Sequence, residues 1–377
     1  MKDVLIVGAG PSGAAASYDL AKKGFSVQLL DKADFPRMKP CAGGLTLKTL
    51  KTLRFSVAPI AQRVCNDFVA GYGLEKSHLF KSPSPIAVMT VRSQLDAFCL
   101  EQSLETGARF ERIEPIQAIT RENDIWTVTT GNKRFKGRWL IGADGANSRV
   151  RHLLFPQNHV KFAFAAEACL PHPEPNRFAM EMNFNFAGRG YAWIFPKKDH
   201  LNVGIYGLDP MRGVKALLTD YCRDRLKMVL DPKTIIGHRI PYMGHCFQHT
   251  PDNALLVGDA AGMADPLLGE GLYNAVRSGQ IAASAIMEMA ENGQDLYNLK
   301  IGEITSDLKS YWSLFRFFYN HPSWGYKLLC SPPARFLSMK TARLGWTIGR
   351  ARKNLFSLPF QSIDPLLSET FSPVQEH

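Results

Sequence analysis

"KDVLIVGAGPSGAAASYDLAKKGFSVQLLDK", residues 2–32, decides how this chain is read. "DVLIV" is a short apolar run of the kind that fills a buried parallel strand. Gly8, Gly10 and Gly13 follow at once in G-x-G-x-x-G spacing, and "SGAAASYDLAKKG" then reads as a helix that stops at Gly24. "FSVQLLD" is a second strand ending on Asp31. In such a strand–turn–helix unit the first glycine permits the tight turn and the second lets a pyrophosphate reach the backbone. The third lets helix and strand pack closely. Pro11 and Ser12 open the helix, whose N-terminal N–H groups and dipole favour phosphate. Asp31 lies 18 positions beyond Gly13, placed to accept from adenosine ribose hydroxyls, with Lys32 next to it. The stretch predicts a dinucleotide site. A glycine-rich turn without a ligand would leave Asp31 without a reason.

The rest of the chain sets the frame. It has 377 residues, 45% hydrophobic and 21% charged, enough for two or three packed units of ordinary globular composition. Seven cysteines stand at 41, 65, 99, 169, 222, 246 and 330 with no C-x-x-C pair, so neither a disulfide framework nor a zinc site is expected, and no metal. His152, His245 and His249 show no ligand spacing. The N-terminus does not read as a signal peptide, and no window approaches 18 unbroken apolar residues. A reducing, cytoplasmic setting is expected.

Strand-and-helix pieces recur. "TVRSQLDAFCLEQSLETG" (90–107) reads as a helix, and residues 109–145 alternate like a hairpin before the buried strand "WLIGADG". Residues 161–244 are strand-like apart from one helix, "RGVKALLTDYCRDRLKMVL". "NALLVGDAAG" returns to a strand and turn, then a helix begins at "GLYNAVRSG". The expected fold is α/β. A discontinuous Rossmann-like dinucleotide-binding domain (1–64, 88–157 and 250–300) receives an inserted β-rich substrate domain (65–87 and 158–249). A helical region follows at 301–377, with proline breaks at 322, 332 and 333.

Two later segments favour FAD over NAD. "LIGADGANSRVR" (140–151) carries Asp144 at a strand end, and "LLVGDAAGMADPLLGEGLYNAVRSG" (255–279) carries Asp259. Both resemble signature segments of the p-hydroxybenzoate hydroxylase-like superfamily of FAD enzymes. That resemblance implies a flavin contacted by Asp144 and Asp259, by Pro266, Gly269, Gly271 and Leu272 at the second helix start, and by Arg92 in "VRSQLD". A helix start aimed at the flavin N1/C2=O edge would steady the charge of its reduced form. Glu270, beside it, is expected to cap that helix, or in second place to serve as an acid near the flavin edge.

"GRGYAWIFPKKDHLNVG" (188–204) resembles the Y-x-W-x-F-P motif of the geranylgeranyl reductase family, matched by Tyr191, Trp193, Phe195, Pro196 and Gly204. "KPCAGGL" (39–45) resembles the cysteine segment of the same family, implying that Cys41, Ala42 and Gly43 lie by the flavin. On a strand Tyr191, Trp193 and Phe195 share one face, as the lining of an apolar channel or as plain core. Cys41 and Tyr191 are the candidate proton donors for alkene reduction. Arg37 and Lys39 are expected to favour a Cys41 thiolate. The plainer reading makes Cys41 a small residue at a turn.

The resemblance implies an FAD-dependent reductase of isoprenoid C=C bonds, acting on an isoprenoid or quinone-like substrate. No second strand–G-x-G-x-x-G–helix unit is found, so an external electron donor, NAD(P)H or ferredoxin-like, is expected. Alternatives are an aromatic monooxygenase using NAD(P)H and O2, and a flavin electron-relay or binding protein. Flavin-dependent halogenases are disfavoured, since their aromatic motif reads differently. The net charge of +11 concentrates toward the C-terminus: residues 309–361 hold nine Lys or Arg and no Asp or Glu, interleaved with aromatics. This is either a solvated face or a surface for anionic membrane, peripheral on the inner leaflet. No motif supports nucleic-acid binding.

Overall fold

Val4, Leu5 and Ile6 have no exposure because the strand Lys2–Val7 is covered on both faces. This explains a continuous apolar run where a half-exposed strand would alternate. The strand lies between Val27–Asp31 and Lys133–Gly142, both parallel to it. Arg109–Arg112 extends the sheet beyond Val27–Asp31, and Ala254–Leu256 pairs with the C-terminal end of Lys133–Gly142. The antiparallel strands Ile116–Glu122 and Ile125–Thr130 complete this seven-stranded sheet. The structure is a computed structural model that describes residues 1–157, 159–186, 188–208, 212–242 and 253–354.

Three helices pack together beside this sheet: Pro11–Lys22, Arg92–Glu105 and Leu272–Asn292. The first and third touch at backbone level, since a β-carbon at Gly279 would stand 2.2 Å from the Ser12 carbonyl oxygen. Ser103 Oγ donates to Ser17 Oγ (2.7 Å) between the first and second.

A second seven-stranded sheet runs in the order Ile236–Tyr242, Lys161–Pro171, His200–Gly207, Gly190–Pro196, Met180–Phe184, Phe68–Tyr72, Lys76–Phe80. It is antiparallel except where Phe68–Tyr72 joins Met180–Phe184 in parallel. Alternation sorts its side chains. Ala166, Ala168, Leu170, Ala192 and Ile194 pack with Leu218 and Tyr221 of the helix Val214–Tyr221. Ala163, Ala165, Tyr191, Trp193 and Tyr206 form the opposite layer, with Phe315 and Tyr319. A three-stranded sheet of Gly44–Thr46, Ala87–Met89 and Arg63–Cys65 interleaves in sequence with Phe68–Tyr72 and Lys76–Phe80 of the second sheet.

One expectation changes. The helix expected across 212–230 covers only Val214–Tyr221, followed by a wider π-type turn to Leu226 and a left-handed Lys227. The cationic C-terminal region is helical as expected, in Tyr297–Asn320, Pro322–Leu329, Pro332–Leu344 and Ile348–Asn354. Pro322 and Pro332 open helices, because a first-turn proline forfeits no helical hydrogen bond. The region also packs into the fold. Tyr311, Phe315 and Tyr319 are buried, whereas Phe317, Trp324 and Phe336 are exposed. Phe356 and Phe360 lie outside the described residues, as do His245 and His249. No helix among the described residues is long and apolar enough to cross a membrane.

Candidate active site

The phosphate cradle forms where the first strand ends. Gly8 has φ +105°, and a β-carbon there would stand 2.2 Å from the Ala143 carbonyl oxygen. A β-carbon at Gly13 would stand 1.9 Å from the Gly8 carbonyl oxygen, so strand and helix meet without a side chain between them. Gly10 caps the helix, with Pro11 following and no side-chain cap on the first-turn N–H groups. The nearest atom to a β-carbon at Gly10 would be the Arg37 guanidinium at 3.3 Å. Asp31 is steadied by the same turn: Ala9 N–H donates to Oδ2 (2.8 Å) and Ala33 N–H to Oδ1 (3.0 Å). Lys32 is exposed.

The second helix start arrives beside this cradle. A β-carbon at Gly258 would lie 3.0 Å from Ser12 Oγ, and one at Gly271 would lie 3.2 Å from Asp259 Oδ1. Gly271 precedes Leu272–Asn292 without a side-chain cap. Leu272 packs in one apolar cluster with Ala14 and Cys41. The loop before it is held by Asp265, whose Oδ1 accepts from Leu267 N–H and Leu268 N–H (2.8 Å each). Burial pushes the Asp265 carboxyl up to about 6, against the pull of Lys48. Three tyrosines fix the same loop: Tyr206 donates to the Pro266 carbonyl (2.8 Å), Tyr319 to Leu267 (3.1 Å) and Tyr191 to Leu268 (2.5 Å). Gly269 there has φ +66°.

Glu270 is not a cap. Its carboxylate pairs with Lys48 Nζ (2.8 Å) and accepts from Thr46 Oγ1 (2.8 Å), tying the second helix start to the segment after Cys41. The Asp144 carboxylate is engaged by its own following turn. It accepts from Ser148 Oγ (2.5 Å), Arg149 N–H (2.6 Å) and Val150 N–H (3.1 Å), so it organises the short helix Arg149–Leu154.

The Cys41 loop lies against the second sheet. Gly43 has φ +66°, and a β-carbon there would stand 2.1 Å from the Thr90 carbonyl oxygen. The close approach that requires glycine is thus to protein backbone. A β-carbon at Gly44 would stand 3.2 Å from the Phe195 ring. Cys41 Sγ accepts from Gly43 N–H (3.4 Å), and Cys41 N–H donates to Glu167 Oε1 (2.7 Å). Lys197 Nζ donates to the Ala42 carbonyl (2.6 Å). Of the two expected cations, Arg37 is engaged elsewhere. Arg37 pairs with Asp96 (3.1 Å) and lies over the Phe35 ring. Arg92 and Lys197 are buried cations whose own pKa values Cys41 raises. Arg92 is locked in a two-point contact with the fully buried Asp96 (2.8 and 3.0 Å). Burial opposes the charge on Arg92, but Asp96 and Cys41 outweigh it and raise its pKa.

Tyr191, Trp193 and Phe195 share one strand face, as the alternation predicted. Tyr191 and Trp193 are 6% and 4% exposed and pack with Phe184 and Tyr206. Burial drives the Tyr191 phenol well above its usual pKa, reinforced by Tyr319, Asp265, Cys41 and Glu270. Cys41 and Tyr191, 150 positions apart in sequence, thus lie in one electrostatic neighbourhood. Sequence reasoning passed over Asp96, Glu167, Lys197 and Asp265. Only Asp96 left a local trace, its four-residue offset from Arg92 on a helix.

Two uncapped helix starts, a paired cradle of side-chain-free backbone and the Asp31 carboxylate fit the pyrophosphate and ribose of FAD. Fold and site define an FAD-dependent oxidoreductase. The family described as FAD binding domain matches residues 1–295, and the chain belongs to it. An uncharacterized protein of Methanosarcina barkeri is 34% identical over 336 residues, covering 87% of each chain. The chloroplastic geranylgeranyl diphosphate reductase of Arabidopsis thaliana is 29% identical, covering 78% of this chain and 67% of its own. Among solved structures, a geranylgeranyl bacteriochlorophyll reductase-like protein of Thermoplasma acidophilum superposes with a TM-score of 0.69 at 18% identity, over 94% of this chain and 96% of that one. A flavin-dependent brominase does so with 0.72 at 17%, over 94% and 98%. At such identities these two likenesses describe the fold alone.

Proposed function

We propose that this chain saturates C=C bonds of an isoprenoid chain carried on a lipid, quinone or alcohol, with residues 1–64, 88–157 and 250–300 holding FAD. Residues 65–87 and 158–249 present the substrate surface in this reading. The observation that carries it is the docking of the Cys41 loop on the strand Gly190–Pro196, which joins the two family-like motifs through Phe195 and Lys197. FAD held there would, once reduced by NAD(P)H or a ferredoxin-like donor, supply the hydride.

The chain's own residues then have three tasks. Glycine-lined helix starts bind the phosphates. The packed aromatic layer of Tyr191, Trp193 and Phe195 excludes water beside the proposed substrate surface. Cys41 holds the proton an isolated alkene needs, since a simple hydride acceptor of that kind is poorly polarised. Tyr191 is less suited to that task, because burial strengthens its hold on the phenolic proton and its hydroxyl is engaged with the Leu268 carbonyl. Its role is to wall the site and fix the 265–271 loop. A lipid-borne substrate also gives a purpose to the exposed Trp324, Phe336 and neighbouring cations as a surface for anionic membrane.

The test is anaerobic photoreduction of the flavoprotein with geranylgeranyl diphosphate or a geranylgeranylated phospholipid, followed by mass spectrometry. Products heavier by two hydrogens per bond support the reading. Rapid oxygen consumption coupled to NADPH and a phenol, with no change in the isoprenoid, replaces it with a monooxygenase.

A further inference from the structure

Two buried, oppositely charged side chains bracket the dipeptide Cys41–Ala42. Glu167, 8% exposed, accepts the Cys41 N–H at 2.7 Å, and Lys197, 2% exposed, donates to the Ala42 carbonyl at 2.6 Å. They come from different strands of the second sheet, Glu167 from Lys161–Pro171 and Lys197 from just past Gly190–Pro196. Among the described residues no salt bridge joins Lys197 to a carboxylate; each of the two holds the loop backbone instead. Burying a charge is costly, and a purely structural contact to a carbonyl or N–H is made as well by a neutral group. The network is also incomplete. Glu167 Oε2 and His238 Nδ1 are buried without hydrogen-bond partners, which is uncommon for groups that serve packing alone.

We propose that Lys197 and Glu167 are positioning residues that fix the Cys41 thiol and tune, with opposite signs, how readily it ionises. Lys197 supplies positive charge below about pH 8 and Glu167 negative charge, on either side of the same loop. The other groups facing this layer are Arg92 from its helix, Lys39 from the loop, His238 from Ile236–Tyr242, and Cys65 and Cys169. Burial lowers Lys197 to about 8 and raises Glu167, the latter opposed by Cys41 N–H, Asn202, Lys197 and Arg92. His238 is lowered to about 4, by burial first and then by Lys39 and Arg92, so near neutrality it adds no charge. The inference rests on the proposed role of Cys41 only for its effect on turnover.

The experiment uses the full chain with FAD bound. Iodoacetamide labelling of Cys41 is followed by peptide mass mapping across a pH series, with melting and flavin absorbance recorded for each variant. Lys197→Met is expected to move the labelling midpoint to higher pH by about one unit, roughly a tenfold loss of labelling rate below it. Glu167→Gln is expected to move it lower, and Lys197→Arg to restore the wild-type midpoint. Simple loosening of the loop would speed labelling in both variants alike, so shifts of the same sign, or none, overturn the proposal. If Lys197→Met does not retain FAD, Glu167→Gln decides: a lower midpoint supports the clamp and an unchanged one overturns it. Opposite shifts in a protein that leaves isoprenoids unreduced would keep the clamp and discard the substrate.

Discussion

Trp193 occupies the space that a side chain at Gly204 would need. The two residues face each other across neighbouring strands, and a β-carbon at 204 would stand 2.2 Å from indole Cζ2 and 2.6 Å from the Ala166 carbonyl oxygen. The indole N–H is fixed by Asn202 Oδ1 at 2.7 Å. Gly204→Ala therefore has no side-chain movement that relieves both contacts. It is expected to lower stability by about 1–3 kcal/mol, read as a drop in melting temperature with an altered near-ultraviolet aromatic signal. An unchanged signal would show that the indole does not lie across 204.

The cradle predicts a different phenotype at Gly13. A methyl group there meets the Gly8 carbonyl oxygen at 1.9 Å, and the helix start must move away from the strand. Gly13→Ala is expected to yield protein that folds but has lost most of its yellow chromophore, measured as the flavin-to-protein absorbance ratio. Full FAD occupancy would move the pyrophosphate elsewhere.

Cys41→Ser keeps the size of the side chain and the bond from Cys41 N–H to Glu167. It is expected to retain FAD while slowing isoprenoid saturation by about 10²-fold or more, the usual scale of lost general-acid catalysis. Wild-type turnover would return Cys41 to a packing role.

Asp265 ties stability to pH. Its folded pKa of about 6 exceeds the ordinary 3.8, so the native state binds this proton more tightly than the unfolded chain. The stabilisation from that proton is complete below the unfolded value and is lost as pH rises to about 6, on the order of 3 kcal/mol for one fully buried group. Urea titrations between those limits are expected to show stability falling with pH, and the slope to flatten in Asp265→Asn. A slope unchanged by that substitution would assign the effect to other groups.

The C-terminal helices predict vesicle binding. Trp324 and Phe336 are 70% and 64% exposed, and Lys327 lies 5.5 Å from the Trp324 ring. The protein is expected to sediment with anionic vesicles and to be released by salt, and Trp324→Ser with Phe336→Ser to weaken binding several-fold. Equal binding to neutral vesicles would refute the electrostatic account. Truncation is not a usable control, because Phe315 and Tyr319 belong to the core.

Much of the site could be read locally. The glycines at 8, 10 and 13, the strand end at Asp31 and the shared face of Tyr191, Trp193 and Phe195 follow from turn geometry and the two-residue period of a strand. Glu270 misled, because an acid beside a helix start looks like a cap until Lys48, far away in sequence, proves to be its partner. Lys197 gave no signal at all: nothing in "PKKD" distinguishes it from Lys198, yet Lys197 is buried.

The sequence by itself determined the dinucleotide cradle, the strand and helix pattern and the resemblance to flavin-dependent reductases, because these depend on residues within a few positions of one another. Only the tertiary structure decided which charges surround Cys41. Glu167 and Lys197 reach that loop from 126 and 155 positions away. Their placement follows from strand register and the packing of one sheet on another loop, and no local spacing encodes either.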